Sequence, residues 1–252
     1  MAVYNGANLN IYHKNYGKSD ELMSLIDKIS DTKVREPALF YETRILHELW
    51  IGIATSDITR SENAIMELQL LPPETVERID PVKKIEIFHS SSIASIIAGK
   101  PADALRSINL LRTSKPLYMR KDLRQYARIL FLVVHYDLGN VDIVETGVKA
   151  ARISFTRSKV ESLYYKSILK MFSRLARSKS PEKTNAAMLD FLKGFSGKTA
   201  DTWNKMNLYF NIRVWLISKL EKVTFTSALK NKEFSKTIGN DDNATSSHHN
   251  AE

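Results

Sequence analysis

Cysteine is absent from this chain of 252 residues, and glycine and proline are scarce at 9 and 7. Without a thiol there is no disulfide, no thiolate ligation of zinc or iron–sulfur clusters and no cysteine nucleophile. The few glycines are scattered, and neither a GxGxxG turn nor a P-loop occurs to cradle a phosphate. Alternating Val/Ile/Thr runs bounded by turn residues are rare, which favours helices over sheet. Long hydrophobic runs are missing as well. The most apolar stretch, Ile129 to Val134, is closed off by Arg128 and His135, far short of the ~20 residues that span a bilayer. The opening MAVYNGANLN has neither the basic start nor the apolar stretch of a secretory signal. These absences predict a soluble, cytoplasmic protein with no membrane partner, no cofactor and no metal.

What the chain does have is positive charge in one place. The formal net charge is +9, yet residues 100–199 hold 20 Lys and Arg against 8 Asp and Glu, whereas residues 1–99 hold 10 against 14. The basic excess therefore belongs to the middle of the chain, where it can form a patch for an acidic partner.

Helix signals recur from end to end. Ser19 precedes Leu22, Leu25, Ile26 and Ile29 at helical spacing, and Pro37 suits a first turn before Phe40, Ile45, Leu46 and Leu49. Thr59 with Glu62 and Ser158 with Glu161 fit the reciprocal capping box. Asp80-Pro81 and Ser180-Pro181 each place a capping side chain before a proline at the first helical position. The end of the chain, GNDDNATSSHHNAE at 239–252, is polar and is expected to be disordered.

The helices pair, and the pairs repeat at about forty residues. Setting Gly99 against Gly139 aligns Ala104 with Val144, Ile108 with Val148 and Leu111 with Ala151. One period earlier Ala64, Leu68 and Leu71 take those places, and Gly52 meets Ser92. Helix pairs follow at roughly 37–71, 81–113, 121–156 and 159–194, with a terminal helix around 201–221. A pair that is apolar on both sides must pack on its neighbours, so the expected fold is all-α: a right-handed superhelical solenoid of antiparallel helix pairs, one domain over 1–238.

The stretch FHSSSIASIIAGKPADALRSINLLRTSKP resembles a tetratricopeptide repeat through Phe88, Ser92, Gly99, Ala104, Ile108 and Pro116, with Ser95 and Leu111 departing from the pattern. Over about 120–235, RILFLVVHYDLGNVDIVETGVKAARISFTRSK, YYKSILKMF and VWLISKLEKVTF are similar to the C-terminal part of tetratricopeptide-like helical-repeat proteins common in Bacteroidetes. That resemblance implies a binding or scaffolding role and no reaction.

Signs of chemistry are thin. HELWI at 47–51 begins like the zinc motif HExxH but ends in Ile51, so the paired ligand is missing. Ser90, Ser91 and Ser92 lack a nucleophile-elbow context and read as thin, close-packing helix surface. HYDLGN at 135–140 groups His135, Tyr136 and Asp137, yet Gly139 stands where a helix must stop and turn, so the segment is a hairpin joint.

Two binding surfaces are expected. A concave face built by the first helix of each pair would present Leu49, Ile53, His89, Ile93, Tyr126, Ile129, Val133 and Tyr136. His89, Tyr126 and Tyr136 lead that group because they combine apolar area with a polar tip. The second surface is basic: Lys166, Lys170, Arg174 and Arg177 share one helix face, and Arg120, Lys121, Arg124 and Arg128 do so one repeat earlier. The leading expectation is a non-enzymatic adaptor for a protein or peptide. The alternative is a nucleic-acid-binding repeat using the basic stripes of residues 112–179.

Overall fold

The computed structural model describes residues 2–30, 37–114, 120–158, 162–194 and 210–230, and these are all-helical, with no strand among them. They fall into two compact units, 1–140 and 141–252, where the sequence reads as one array over 1–238. Pro116, Glu161, residues 201–209 of the expected terminal helix and the 239–252 tail lie outside the described residues.

The first unit contains α1 (Ala2–Tyr12), α2 (Tyr16–Ser30), α3 (Pro37–Thr55), α4 (Ile58–Leu70), the short α5 (Pro73–Arg78), α6 (Pro81–Ile97), α7 (Pro101–Thr113) and α8 (Lys121–Asp137). Neighbours in sequence pack on each other as α1–α2, α3–α4, α6–α7 and α7–α8, and α3 also packs on α6. The core is Ile45, Leu46, Leu49, Ala64, Ile79, Ile87 and Ala94, with Tyr41, Trp50, Ile53 and Leu68 around it. Helix α6 is buried from His89 through Ile97, on every side. Its four serines make this possible: they are small enough to admit neighbouring helices, as the sequence suggests. Ser90 accepts from Trp50 Nε1 at 3.2 Å, and Ser92 donates to the His89 carbonyl at 2.7 Å.

The joints between successive helices repeat in hydrogen-bonded detail. At Lys14, Ser56, Gly99 and Gly139 the backbone turns to positive φ, at 59°, 57°, 71° and 74°. The following amide bonds back across the turn in each case: Asn15 to the Asn10 carbonyl, Asp57 to Gly52, Lys100 to Ser95 and Asn140 to His135, all at 2.8–2.9 Å. This is the Schellman closure, which satisfies the last carbonyls of a helix and needs a left-handed residue. HYDLGN is therefore a helix end, with α8 stopping at Asp137. Aligning the joints at residues 56 and 99 sets Gly52 against Ser95 instead of Ser92, and Ser61, Ile65 and Leu68 against Ala104, Ile108 and Leu111. The first pair, α1–α2, has a joint of the same form, which its sequence does not announce.

Caps follow the sequence in part. Asp80 accepts from the Val82 and Lys83 amides, and Ser180 from Lys183. Helix α4 is instead capped by Asp57, which accepts from Arg60 N at 2.9 Å, so Thr59 lies inside the first turn. Ser19 lies within α2, fully buried. Ser158 follows the end of α9.

The second unit contains α9 (Val141–Arg157), α10 (Leu163–Arg177), α11 (Pro181–Lys193), α12 (Ile212–Leu220) and α13 (Phe225–Lys230). Successive helices α9–α10, α10–α11, α11–α12 and α12–α13 pack together. Phe172 meets Trp215 with ring centroids 5.8 Å apart, and Phe155 meets Tyr165 at 4.9 Å. The joint at Lys222, φ 55°, closes with the Val223 amide on the Ser218 carbonyl.

Candidate functional site

Helix α10 separates its two faces cleanly. Tyr164, Tyr165, Ile168, Leu169, Met171, Phe172 and Leu175 are buried, while Lys166, Lys170, Arg174 and Arg177 are exposed along the opposite side. A helix needs one apolar stripe to dock and leaves the other face to solvent, so this row follows directly from the periodicity. Arg174 pairs with Asp190 of α11 at 2.7 Å and Arg177 with Glu145 of α9 at 3.6 Å. Lys166 and Lys170 have no ion-pair partner among the described residues. Between α10 and α11 lies a shallow groove of about 200 Å³, with Met171 and Phe191 at its floor and Lys170, Arg174 and Asp190 on its walls.

The earlier stripe is less uniform. Arg120 is clamped between Glu86, in a short pair, and Asp122 at 2.8 Å. Those carboxylates hold its guanidinium above the ordinary arginine range, the Asp122 hydrogen bond most of all. Lys121 is exposed, and Arg124 and Arg128 are half-buried.

The residues expected to line a concave face are mostly interior. Tyr126 is fully buried and His89 nearly so, their rings meeting edge-on at 6.3 Å. Burial is the main cause that pulls His89 down to about 4, with the Arg120 charge adding to it. Leu49, Ile93, Ile129 and Val133 are buried too. A partner cannot touch side chains that the helices already use on one another, so only Ile53 and Tyr136, both half-buried, keep surface. The structure thus corrects His89 and Tyr126 from contact residues to packing residues. The reason is that first helices pack on first helices: α3 on α6, and α6 on α8.

One polar cluster has no signal in the sequence beyond HELWI. His47, fully buried, lies 2.9 Å from Ser19 Oγ through Nε2 and 3.3 Å from Glu48 Oε1 through Nδ1. This resembles a serine–histidine–acid relay, but Ser19 is also fully buried and gives its one proton to the Ala7 carbonyl at 2.9 Å. It has no proton for His47 and no access to a substrate. Asp20, His47 and Glu48 also bring ligand atoms within 4.8 Å of one another, close enough for a metal ion. Arg60 of α4 occupies that role: its guanidinium bonds Asp20 at 2.6 and 3.1 Å and Glu48 at 2.6 and 2.9 Å. All four carboxylate oxygens are engaged, so the cluster is a salt-bridged knot tying α2, α3 and α4 together. Asp20 and Arg60 are forty residues apart, which is why no local motif reveals it.

Among the described residues no helix is long and apolar enough to cross a membrane. The chain matches no protein-family model, and no curated protein or solved structure gives a significant match to it.

Proposed function

We propose that this protein is a non-enzymatic helical-repeat adaptor, a superhelical stack of helix pairs, that holds an acidic segment of a partner protein along α10 and α11. The observation that carries this reading is the exposed row of Lys166, Lys170, Arg174 and Arg177 beside the α10–α11 groove. Two of the four cations are satisfied by exposed carboxylates, and exposed pairs are worth only about 0–1 kcal/mol. A partner's glutamates can replace Asp190 and Glu145 at small cost, while Lys166 and Lys170 stand ready. Repetition of the Schellman joints at Lys14, Ser56, Gly99 and Gly139 supports the repeat architecture. The Ser19–His47 pair is buried, and Arg60 occupies the Asp20 and Glu48 carboxylates, so this cluster is given a structural role in the reading.

A nucleic-acid partner is the second reading, favoured by the excess of 20 cationic over 8 acidic residues in 100–199. Titration of the full chain with a glutamate-rich helical peptide and, separately, a poly-uridine strand distinguishes the two. The expected result at about 150 mM salt is peptide binding that K166E/K170E abolishes, with the strand bound more weakly. Tighter binding of the strand, with a steep salt slope, would replace the adaptor reading.

A further inference from the structure

Arg124, Arg128, Phe131 and His135 follow i, i+4, i+7, i+11 spacing, so they form a single line along α8. Helix α7 packs on α8, and Arg112 from the last turn of α7 reaches this line: its guanidinium carbon lies 4.3 Å from the Phe131 ring centroid. Phe131 in turn meets His135 edge-on at 4.2 Å, and His135 Nδ1 lies 3.1 Å from the side-chain nitrogen Nδ2 of Asn140. Stacking on Phe131 holds the Arg112 fork in place.

The electrostatics of this seam differ from those of the other arginines near it. Arg60 and Arg120 are each gripped by two carboxylates. Arg112, Arg124 and Arg128 have no carboxylate within ion-pair distance among the described residues. Burial, then the charges of Arg112 and Arg124, push the Arg128 guanidinium below its ordinary range, and burial with Arg112 does the same to His135. Arginine does not release its proton under ordinary conditions. Among the described residues three like charges therefore share this seam with no counter-ion, two of them half-buried, and a bound anion would relieve that repulsion.

We propose that the α7–α8 seam recognises a phosphorylated side chain of the partner protein, with Arg112, Arg124 and Arg128 donating to the phosphoryl oxygens. The proposal rests on the protein-partner reading above. A phosphoryl group offers close to two negative charges and three acceptor oxygens, matching three guanidinium forks better than a single carboxylate does. A nucleic-acid backbone fits this seam less well, since it needs a continued track of cations. Toward the start of α8 that track is interrupted, because Arg120 is already neutralised by Glu86 and Asp122. Residues 1–99, most of the rest of this unit, carry more acids than bases.

The test presents the full chain with two peptide arrays of matched degenerate sequence, one with a central serine and the other with a central phosphoserine. A poly-uridine strand is titrated alongside. The phosphoserine array should be retained about tenfold or more above its unphosphorylated twin. R112A and R128A should each remove most of that preference, and R128K should lose part of it by keeping charge without the planar fork. K166E/K170E should weaken unphosphorylated acidic peptides but leave the phosphoserine preference intact, so this site and the α10 surface fail separately. Equal retention of the arrays, absence of retention, or a preference that survives R112A/R128A with helicity unchanged would overturn the assignment. So would tighter binding of poly-uridine that is lost in the same variants.

Discussion

Replacing Arg60 with methionine tests whether the α2–α3–α4 knot is held by charge. Methionine keeps the apolar stem and removes the guanidinium that spans Asp20 and Glu48. Burial works to raise the Glu48 carboxyl, but hydrogen bonds from His47 and Arg60 and the guanidinium charge hold it down to about 2, against an ordinary 4.5. A shift of that size corresponds to at most about 3 kcal/mol of folding free energy. Some 30% of the Glu48 side chain is exposed, and screening there reduces the expected contribution to about 1–2 kcal/mol. Because the folded-state value lies below the unfolded one, this stabilisation is complete above about pH 4.5 and fades as the pH falls toward 2. R60M should therefore cost about 1–2 kcal/mol near pH 7, and progressively less as the pH drops from 4.5 toward 2. Urea unfolding followed by circular dichroism across that range measures the difference. The loss is a sizeable part of the ~5–15 kcal/mol typical of a domain. A cost that stays constant down to pH 2.5 would show that Arg60 acts through packing, and the electrostatic account would fail.

Other consequences follow from the joints and seams. At Gly52 an added Cβ would lie 2.2 Å from Ser61 Oγ and about 3 Å from the Asp57 and Ser61 backbone, so G52A should lower stability by about 1–3 kcal/mol in the same unfolding assay. G99A and G139A meet open space but force alanine to positive φ, at about 1 kcal/mol each. S56G should do the reverse and stabilise by a few tenths to 1 kcal/mol, because Ser56 already stands at φ 57°. An unchanged or lower melting temperature for S56G would refute the strain argument. At Arg124, glutamine should raise stability by about 0.2–0.5 kcal/mol at low salt, by removing an i, i+4 like-charge pair with Arg128. That gain should vanish in concentrated salt, while phosphoserine preference drops, the pattern expected where binding is favoured over stability.

The amino-acid sequence by itself determined the helices and most of their ends. These are local properties. Apolar period, Asp80-Pro81 and Ser180-Pro181 caps and glycine at the left-handed positions 99 and 139 act over a few residues, so they can be read without knowing what packs where. The exposed α10 row was legible for the same reason, since one helix carries both the buried stripe and its opposite. Only the tertiary structure decided the rest. It placed His89 and Tyr126 in the interior, because whether an amphipathic residue faces a groove or another helix depends on which helices stack. It shifted the register by three residues where the second and third joints are aligned, because apolar matches alone do not fix it. It also joined Asp20 to Arg60 and set Arg112 over Phe131. The residues in each of those pairs lie far apart in the chain, and ionic and stacking contacts act at distances of a few ångströms, which only packing of the helices creates.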